Sequence, residues 1–160
     1  MRAMTVEPGR AGSAAVSEID APAGHGDVLV DGLAVGICGT DIEIAAGHFG
    51  TAPPGESRLV LGHESLGRVV SAPADGGVAA GDLVVGIVRR PDPVPCRSCA
   101  GGAWDMCLNG RYTERGIKEL DGYGADQWRI EADFAVRVPP ALGDAAVLLE
   151  PASVVAKAWD

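Results

Sequence analysis

The chain has 160 residues, a length that forms one domain and buries enough surface for a hydrophobic core without disulfide staples. Acidic residues outnumber basic ones, 22 against 13, and the net charge of -9 argues against nucleic acids and anionic membranes as partners. No apolar run approaches the length of a signal peptide or a membrane span, so we expect a cytoplasmic protein whose cysteines are reduced.

Short apolar runs between 23 glycines and 11 prolines predict a mainly β protein with short helices, of the α+β class. We expect a short helix over 40–46, directly after Cys38, and a loop over 89–99. Only Gly143 and Pro151 interrupt an expected helical segment over 141–160, which should kink or restart at Pro151, because proline interrupts helical hydrogen bonding. The predicted strands cover residues 28–35, 59–61, 66–70, 83–88 and 134–138.

Cys38 and the pair His63-Glu64 are candidate metal ligands, and Glu150 is a further candidate near the end of the chain. Together they offer a thiolate, an imidazole and carboxylates at separations too long for a local metal-binding knuckle. Catalytic zinc keeps three protein ligands of these types and leaves a fourth position for water or substrate. A buried lone thiol and a surface His-Glu pair are the alternatives, and the glycines flanking both motifs favour ligation.

Three further cysteines, Cys96, Cys99 and Cys107, lie close together in the sequence. In a chain whose thiols stay reduced, such a group is read as metal ligands or as buried thiols rather than as disulfides. Packing of reduced thiols beneath Trp104 and a second metal site are therefore both open.

Four basic side chains near these motifs have no partner that the sequence reveals. Arg89 and Arg90 are expected to form a solvated strand end, with contact to substrate or a cofactor phosphate as the alternative. His25 and His48 have glycine neighbours and are expected at the surface.

The motifs together resemble the catalytic domain of zinc-dependent medium-chain dehydrogenases/reductases. They are Gly-Ile-Cys-Gly-Thr-Asp at 36–41, Leu-Gly-His-Glu-Ser-Leu-Gly-Arg-Val at 61–69, Ala-Gly-Asp-Leu-Val-Val at 80–85 and Leu-Glu-Pro at 149–151. The stretch Gly-Arg-Tyr-Thr-Glu-Arg-Gly-Ile at 110–117, followed by Asp-Gly-Tyr at 121–123, is more narrowly similar to the glucose dehydrogenase branch. The resemblance spans essentially the whole chain.

The resemblance implies a GroES-like, partly open β-barrel that precedes a Rossmann domain in the intact enzyme. Enzymes of this branch oxidise the anomeric carbon of an aldose such as glucose, with Zn²⁺ and NAD or NADP as cofactors. No Gly-x-Gly-x-x-Gly motif follows a strand and opens a helix in this chain, so we expect the nucleotide to bind mainly to a missing domain.

Site residues carry over from the family position by position. Cys38 and His63 become zinc ligands, Glu64 a third ligand or a carboxylate that exchanges with water, and Glu150 a carboxylate near the metal and the sugar. Glu64 and Glu150 are thereby also catalytic candidates.

Two further positions of the family pattern concern the substrate. Thr40 matches the hydroxyl through which the substrate proton leaves, and Glu114 matches a contact to a sugar hydroxyl. Alcohol dehydrogenases of the family continue the proton relay through a histidine five residues after the cysteine ligand, where this chain has Glu43.

The family's structural zinc lobe uses four cysteines with spacings x2, x2 and x7. Counting back from Cys96 reaches Pro93, so the first thiolate is missing. Asp92 is the expected replacement, because three cysteines with one oxygen ligand still give tetrahedral coordination. A weak or empty lobe is the alternative.

Residues 1–160 are therefore expected to form one GroES-like zinc-binding catalytic domain, with 141–160 beginning the connection to a nucleotide-binding domain. The expected partner is a small sugar or polyol, with homo-oligomers formed only by the intact enzyme. Apolar side chains of the last helix, Val154, Val155 and Trp159, are expected to lie partly uncovered. The alternatives are a stand-alone, non-catalytic zinc-binding module and a zinc alcohol or polyol dehydrogenase of another substrate class.

Overall fold

The computed structural model describes residues 1–22 and 26–159, so the expectation for His25 lies outside the described residues. The described part is mainly β, as predicted, with short helices between the strands. The strands are β1 (Arg2–Val6), β2 (Ala15–Glu18), β3 (Val28–Gly36), β4 (Leu59–Val60), β5 (Glu64–Ser71), β6 (Leu83–Gly86), β7 (Arg89–Arg90), β8 (Thr113–Arg115), β9 (Glu119–Leu120), β10 (Gln127–Ile130) and β11 (Ala135–Arg137). The α-helices are α1 (Gly39–Ala45), α2 (Arg97–Ala100) and α3 (Leu149–Lys157), and 3₁₀ helices cover Trp104–Met106, Ala132–Phe134 and Pro140–Leu148.

The central sheet has five antiparallel strands in the order β10-β3-β5-β6-β11. Pairing of β3 with β5 shifts register twice, and such irregularities bend a strand and increase its twist. The sheet accordingly curls into a half-barrel of the GroES-like type. Two three-stranded sheets, β2-β1-β4 and β7-β8-β9, lie beside it.

Alternating apolar residues of neighbouring strands fill the central sheet's core. Val28 and Val30 of β3 pack with Trp128 and Ile130 of β10, as the period-2 geometry of a strand requires. A second cluster of Val6, Ile44 and Leu59 packs α1 against the β2-β1-β4 sheet. This second cluster fixes the helix that follows Cys38.

The end of the chain has the expected interruption at Gly143 but not the expected restart at Pro151. The interruption lies at Gly143, whose φ of 49° is in the left-handed region that favours glycine. Helix α3 begins at Leu149 and contains Pro151 as its third residue, where a backbone N–H has no partner within the helix and proline is tolerated. The prediction about Pro151 was wrong because it treated a first-turn proline as an interior one.

Packing of the Pro140–Leu148 helix on the central sheet brings the end of the chain close to the candidate metal ligands. Leu66, Val85, Val138 and Ala146 form a buried cluster that joins β5 and β6 to the Pro140–Leu148 helix. Glu150 therefore stands at the start of α3 close to the beginning of β5.

The strands differ from the prediction mainly in number and at their ends. The predicted strand over 83–88 ends earlier, at Gly86, and the strand over 66–70 begins earlier, at Glu64. The predicted loop over 89–99 is wrong at both ends, because it contains β7 and the start of α2. Strands β1, β2, β8, β9 and β10 were not predicted, since several of them are short and lie between glycines. Within the described residues, no helix has the length and apolar character needed to cross a membrane.

Candidate metal centre

Cys38 and His63, 25 residues apart in sequence, meet in the structure. The Cys38 Sγ and His63 Nε2 atoms are 3.1 Å apart. Cys38 is the N-cap of α1 and is half-buried, whereas the His63 side chain is 5% exposed. The predicted strand-to-helix junction is thus the place where the thiol and the imidazole converge.

Asp41 lies next to both of these residues. Its Oδ2 accepts a 3.0 Å hydrogen bond from the Cys38 backbone N–H, which caps the first turn of α1. Its Oδ1 lies 3.6 Å from His63 Nδ1, and both atoms are buried without a hydrogen-bond partner. One oxygen of the Asp41 carboxylate therefore caps the helix, and the other faces the His63 imidazole.

Gly62 gives the backbone in front of His63 a conformation that other residues rarely adopt. Its φ is +94°, and a Cβ there would lie 2.6 Å from Val35 Cγ2 and 3.0 Å from the Gly124 backbone N. A Cβ at Gly36, on the neighbouring strand, would lie 1.9 Å from Glu64 Oε2. Glycine at these two positions leaves room for the His63-Glu64 segment to approach β3.

Two carboxylates complete the cluster around His63. One ligand atom each of His63, Glu64 and Glu150 lies within 4.8 Å of the others, and the same holds for Cys38, Asp41 and His63. Burial raises the pKa of Glu150; His63 opposes the shift, and the nearby carboxylates Glu64 and Asp41 reinforce it. A cation at this position would instead favour the ionised carboxylate.

The donor set fits a zinc ion. Tetrahedral zinc with bonds of about 2.3 Å to sulfur and about 2.0 Å to nitrogen separates two such ligands by about 3.6 Å. The Cys38 Sγ and His63 Nε2 atoms are 3.1 Å apart, slightly closer than that separation, and small side-chain rotations would bring them to it. The facing, unpaired atoms of His63 and Asp41 match the carboxylate-histidine arrangement that orients metal-bound imidazoles.

The candidate residues of α1 lie near this cluster. Thr40, the second residue of the helix, is half-buried and follows Cys38 by two positions. Glu43, which stands at the position of the family's relay histidine, is exposed to solvent.

Glu114 pairs with Arg89, which the sequence had placed at a solvated strand end. Arg89 Nη2 and Nε donate to Glu114 Oε1 at 2.7 and 3.0 Å. Arg90 is buried and binds Glu131 through Nη2 at 2.7 Å. The expectation for both arginines was wrong, because the lobe and strands that cover them come from distant parts of the chain.

The three cysteines of the second candidate site also converge. Their sulfur atoms lie within 4.8 Å of one another, and those of Cys96 and Cys99 are 3.6 Å apart. The Leu108 and Cys99 backbone N–H groups stabilise the Cys96 thiolate and lower its pKa to about 6. Burial, together with the adjacent Cys107 and Cys96, raises the pKa of Cys99 to about 11.

Asp92 stands at the edge of this cysteine group. Its Oδ2 is 3.9 Å from Cys107 Sγ, and it does not belong to the set whose ligand atoms all lie within 4.8 Å of one another. Burial opposes ionisation, but bonds from the Val94 N–H and the Asn109 amide hold the pKa of Asp92 below its usual value. The side chain is therefore an anion beside the three thiols, and it accepts a hydrogen bond from the Cys107 thiol.

Known proteins have similar sequences and the same architecture. Residues 24–140 match the family described as "Alcohol dehydrogenase GroES-like domain". The chain is 44% identical over 159 residues to glucose 1-dehydrogenase of Methanocella arvoryzae, covering 98% of the chain and 44% of that protein. It is 45% identical over 163 residues to glucose 1-dehydrogenase 1 of Caldivirga maquilingensis, covering 100% of the chain and 45% of that protein.

A solved structure gives the same result. The chain superposes with a TM-score of 0.86 and 38% identity on Haloferax mediterranei glucose dehydrogenase in complex with NADP, Zn and gluconolactone. The match covers 99% of this chain and 44% of that one, so the chain spans less than half the length of these relatives. It therefore belongs to the alcohol dehydrogenase GroES-like domain family, in the glucose dehydrogenase branch of the zinc-dependent medium-chain dehydrogenases/reductases that its motifs predicted.

Proposed function

We propose that this chain is the catalytic domain of a zinc-dependent dehydrogenase that oxidises the anomeric carbon of an aldose such as glucose and transfers hydride to NAD or NADP. The observation that carries the proposal is the 3.1 Å approach of Cys38 Sγ to His63 Nε2, beside the carboxylates of Glu64 and Glu150. Relatives named glucose 1-dehydrogenase at 44–45% identity support the sugar class.

Cys38 and His63 would hold the zinc ion, with Glu64 or Glu150 as the exchangeable third ligand. Bound there, zinc would supply Lewis-acid polarisation of the substrate hydroxyl, which favours loss of the hydroxyl proton and transfer of hydride from the anomeric carbon to the nicotinamide. Asp41 holds the imidazole in place and keeps the thiol at the helix start, since it contacts both residues. Burial of His63 and Glu64 keeps bulk water away from one side of the cluster.

The remaining site residues act on the substrate. The Thr40 hydroxyl can accept a proton from the sugar and donate its own, because a hydroxyl is both donor and acceptor. Glu43 follows it on α1 and is exposed, so the proton has a carboxylate near solvent in place of the family's histidine. Glu114 and Glu150 accept hydrogen bonds from sugar hydroxyls, each worth about 1.5–3 kcal/mol as a charge-assisted bond.

The rest of the enzyme lies in the proposed downstream part. We assign nucleotide binding to a Rossmann domain after residues 141–160, because this chain has no Gly-x-Gly-x-x-Gly turn. Exposed apolar side chains at the end of the chain support a covering domain: Val154 and Val155 of α3 are 65% and 64% exposed, and Trp159 beyond the helix is 88% exposed. In the cysteine lobe we propose a structural zinc held by Cys96, Cys99 and Cys107, with Asp92 as the fourth ligand.

The proposal is tested on the protein that contains this chain together with its downstream domain. We expect glucose-dependent reduction of NADP or NAD that is lost on removal of zinc by a chelator and restored by added Zn²⁺. Cys38→Ala should remove the activity at unchanged folding, as judged by circular dichroism. Sugar oxidation that persists in the zinc-free protein or in Cys38→Ala would contradict the proposal.

A further inference from the structure

Arg89 and Glu114 form a cross-strand pair that the sheet itself fixes. Strands β7 and β8 are antiparallel, and their register places Arg89 directly opposite Glu114. Side chains in such positions lie close enough to interact along their whole length. Their side chains are 23% and 16% exposed, so the pair is mostly covered by protein but still reaches solvent.

The Arg89 guanidinium is held by three different groups. Besides its two bonds to Glu114, its Nη1 donates a 2.7 Å bond to the backbone carbonyl of Asp105 in the cysteine lobe. Its Cζ atom lies 3.9 Å from the centroid of the Tyr112 ring, a cation–π contact. Lys118 lies 4.3 Å from the same ring and donates to the Gly110 carbonyl, which anchors the Tyr112 segment.

The two oxygens of Glu114 are used unequally. Both Arg89 nitrogens donate to Oε1, whereas no donor among the described residues lies within hydrogen-bond distance of Oε2. Because the oxygen is not sealed inside the protein, Oε2 keeps its lone pairs for a ligand. A planar guanidinium that is itself held on several sides fixes a carboxylate more firmly than a flexible ammonium does.

We propose that Arg89 is a positioning residue that orients the Glu114 carboxylate so that Oε2 accepts a hydrogen bond from a sugar hydroxyl. The inference rests on the proposed sugar dehydrogenase function. Arg89 occupies Oε1, and Tyr112 and the Asp105 carbonyl hold Arg89, so the carboxylate presents one oxygen in one orientation. Arg89 thus contributes to substrate binding through Glu114 and does not itself contact the reacting carbon.

The test measures steady-state kinetics with glucose and NADP on the protein that contains this chain and its downstream domain. Arg89→Ala should raise the KM for glucose about tenfold or more, with kcat within about twofold, because uniform binding is lost. Arg89→Lys should recover part of the loss, since the charge remains while the planar fork is gone. Tyr112→Leu should raise KM, whereas Tyr112→Phe, which keeps the ring, should not. Arg10→Ala, which removes an exposed arginine paired with Glu7, is the surface-charge control.

A double-mutant cycle separates positioning from general damage to the fold. In a Glu114→Ala background, Arg89→Ala should change KM by less than about twofold, because residues that act through one another are not additive. Additive effects of the two changes, or an unchanged KM in Arg89→Ala, overturn the inference and leave the proposed function standing. A wild-type protein that does not oxidise sugars overturns the proposed function and this inference with it.

Discussion

At the scale of single residues, two glycines fix the positions of the candidate metal ligands His63 and Glu64. Gly62 takes a left-handed φ of +94° immediately before His63, in a space where a Cβ would meet Val35 and the Gly124 backbone. Gly36 leaves the space that the Glu64 carboxylate occupies. The ligand motif therefore depends on its flanking glycines as much as on its polar side chains.

Gly62→Ala should destabilise the fold more than a glycine substitution that is strained but unhindered. Gly55 also has a left-handed φ, +86°, but a Cβ there meets no atom within 4 Å. We expect Gly55→Ala to cost about 1–2 kcal/mol from backbone strain. Gly62→Ala should cost about 1–3 kcal/mol more, from overpacking. Urea unfolding of the two variants measures the difference, and equal losses would contradict the packing argument.

The cysteine lobe should show unequal thiol reactivity when it carries no metal. At pH 7 the Cys96 thiol, with a pKa of about 6, is mostly thiolate, whereas Cys99, with a pKa of about 11, is mostly protonated. Since the thiolate is the nucleophile, iodoacetamide should modify Cys96 first, at least about tenfold faster than Cys99. Mass spectrometry of peptides after short exposure measures the order. In the urea-unfolded control the two should react alike, and faster labelling of Cys99 in the folded protein would be incompatible with these environments.

Local sequence was sufficient to single out Cys38 and His63, which meet in the structure, and insufficient for the Arg89-Glu114 pair. Cys38 and His63 were identified by their glycine-flanked motifs, and the structure places their ligand atoms 3.1 Å apart. Arg89 and Glu114 face each other through the register of two very short strands that are separated in sequence by the cysteine lobe. No periodicity marks strands of two and three residues, so this pairing could not be read from the sequence.

At the scale of elements, long apolar strands were predictable and the path of the last segment was not. The strand over 28–35 matches β3 and the helix over 40–46 matches α1 within one or two residues, because both have clear patterns and end signals. The glycine at 143 indicated the break there, whereas the path of the segment follows from its packing on β5 and β6. Such packing depends on residues that are distant in sequence.

Docking of the Pro140–Leu148 helix should depend on Leu66. This side chain is 1% exposed and lies in the cluster that holds the segment to the sheet. Leu66→Ala should lower the free energy of unfolding by about 2–5 kcal/mol through lost burial and a residual cavity. Leu33→Ala, the same change at a position that is 50% exposed, is the matched control and should cost clearly less. Equal costs in chemical denaturation would mean that the cluster does not hold this segment.

At the scale of the whole molecule, the chain carries candidate metal ligands and has exposed apolar side chains on its final helix. The Val154, Val155 and Trp159 side chains are exposed as expected, and the chain spans 44–45% of the length of its glucose dehydrogenase relatives. We therefore assign zinc and sugar binding to this domain and nucleotide binding to the proposed downstream domain.

Residues 1–160 alone should bind zinc without catalysing sugar oxidation. Hydride transfer needs a nicotinamide held against the substrate, and the proposed downstream domain supplies that binding. The measurement is absorbance of reduced nicotinamide at 340 nm with the zinc-loaded domain, glucose and NAD or NADP. Measurable turnover by the domain alone, at a purity that excludes the complete enzyme, would contradict this division of roles.

Zinc content per chain is the direct test of whether Cys38 and His63 bind one metal ion. We expect two zinc equivalents in the wild-type domain, one in Cys38→Ala and one in Cys99→Ala, measured by mass spectrometry of the metal after dialysis. One equivalent in the wild type, lost only in Cys38→Ala, would leave the catalytic site in place and show that the cysteine lobe is empty. A Cys38→Ala domain that retains as much zinc as the wild type would contradict the claim that Cys38 and His63 bind one metal ion.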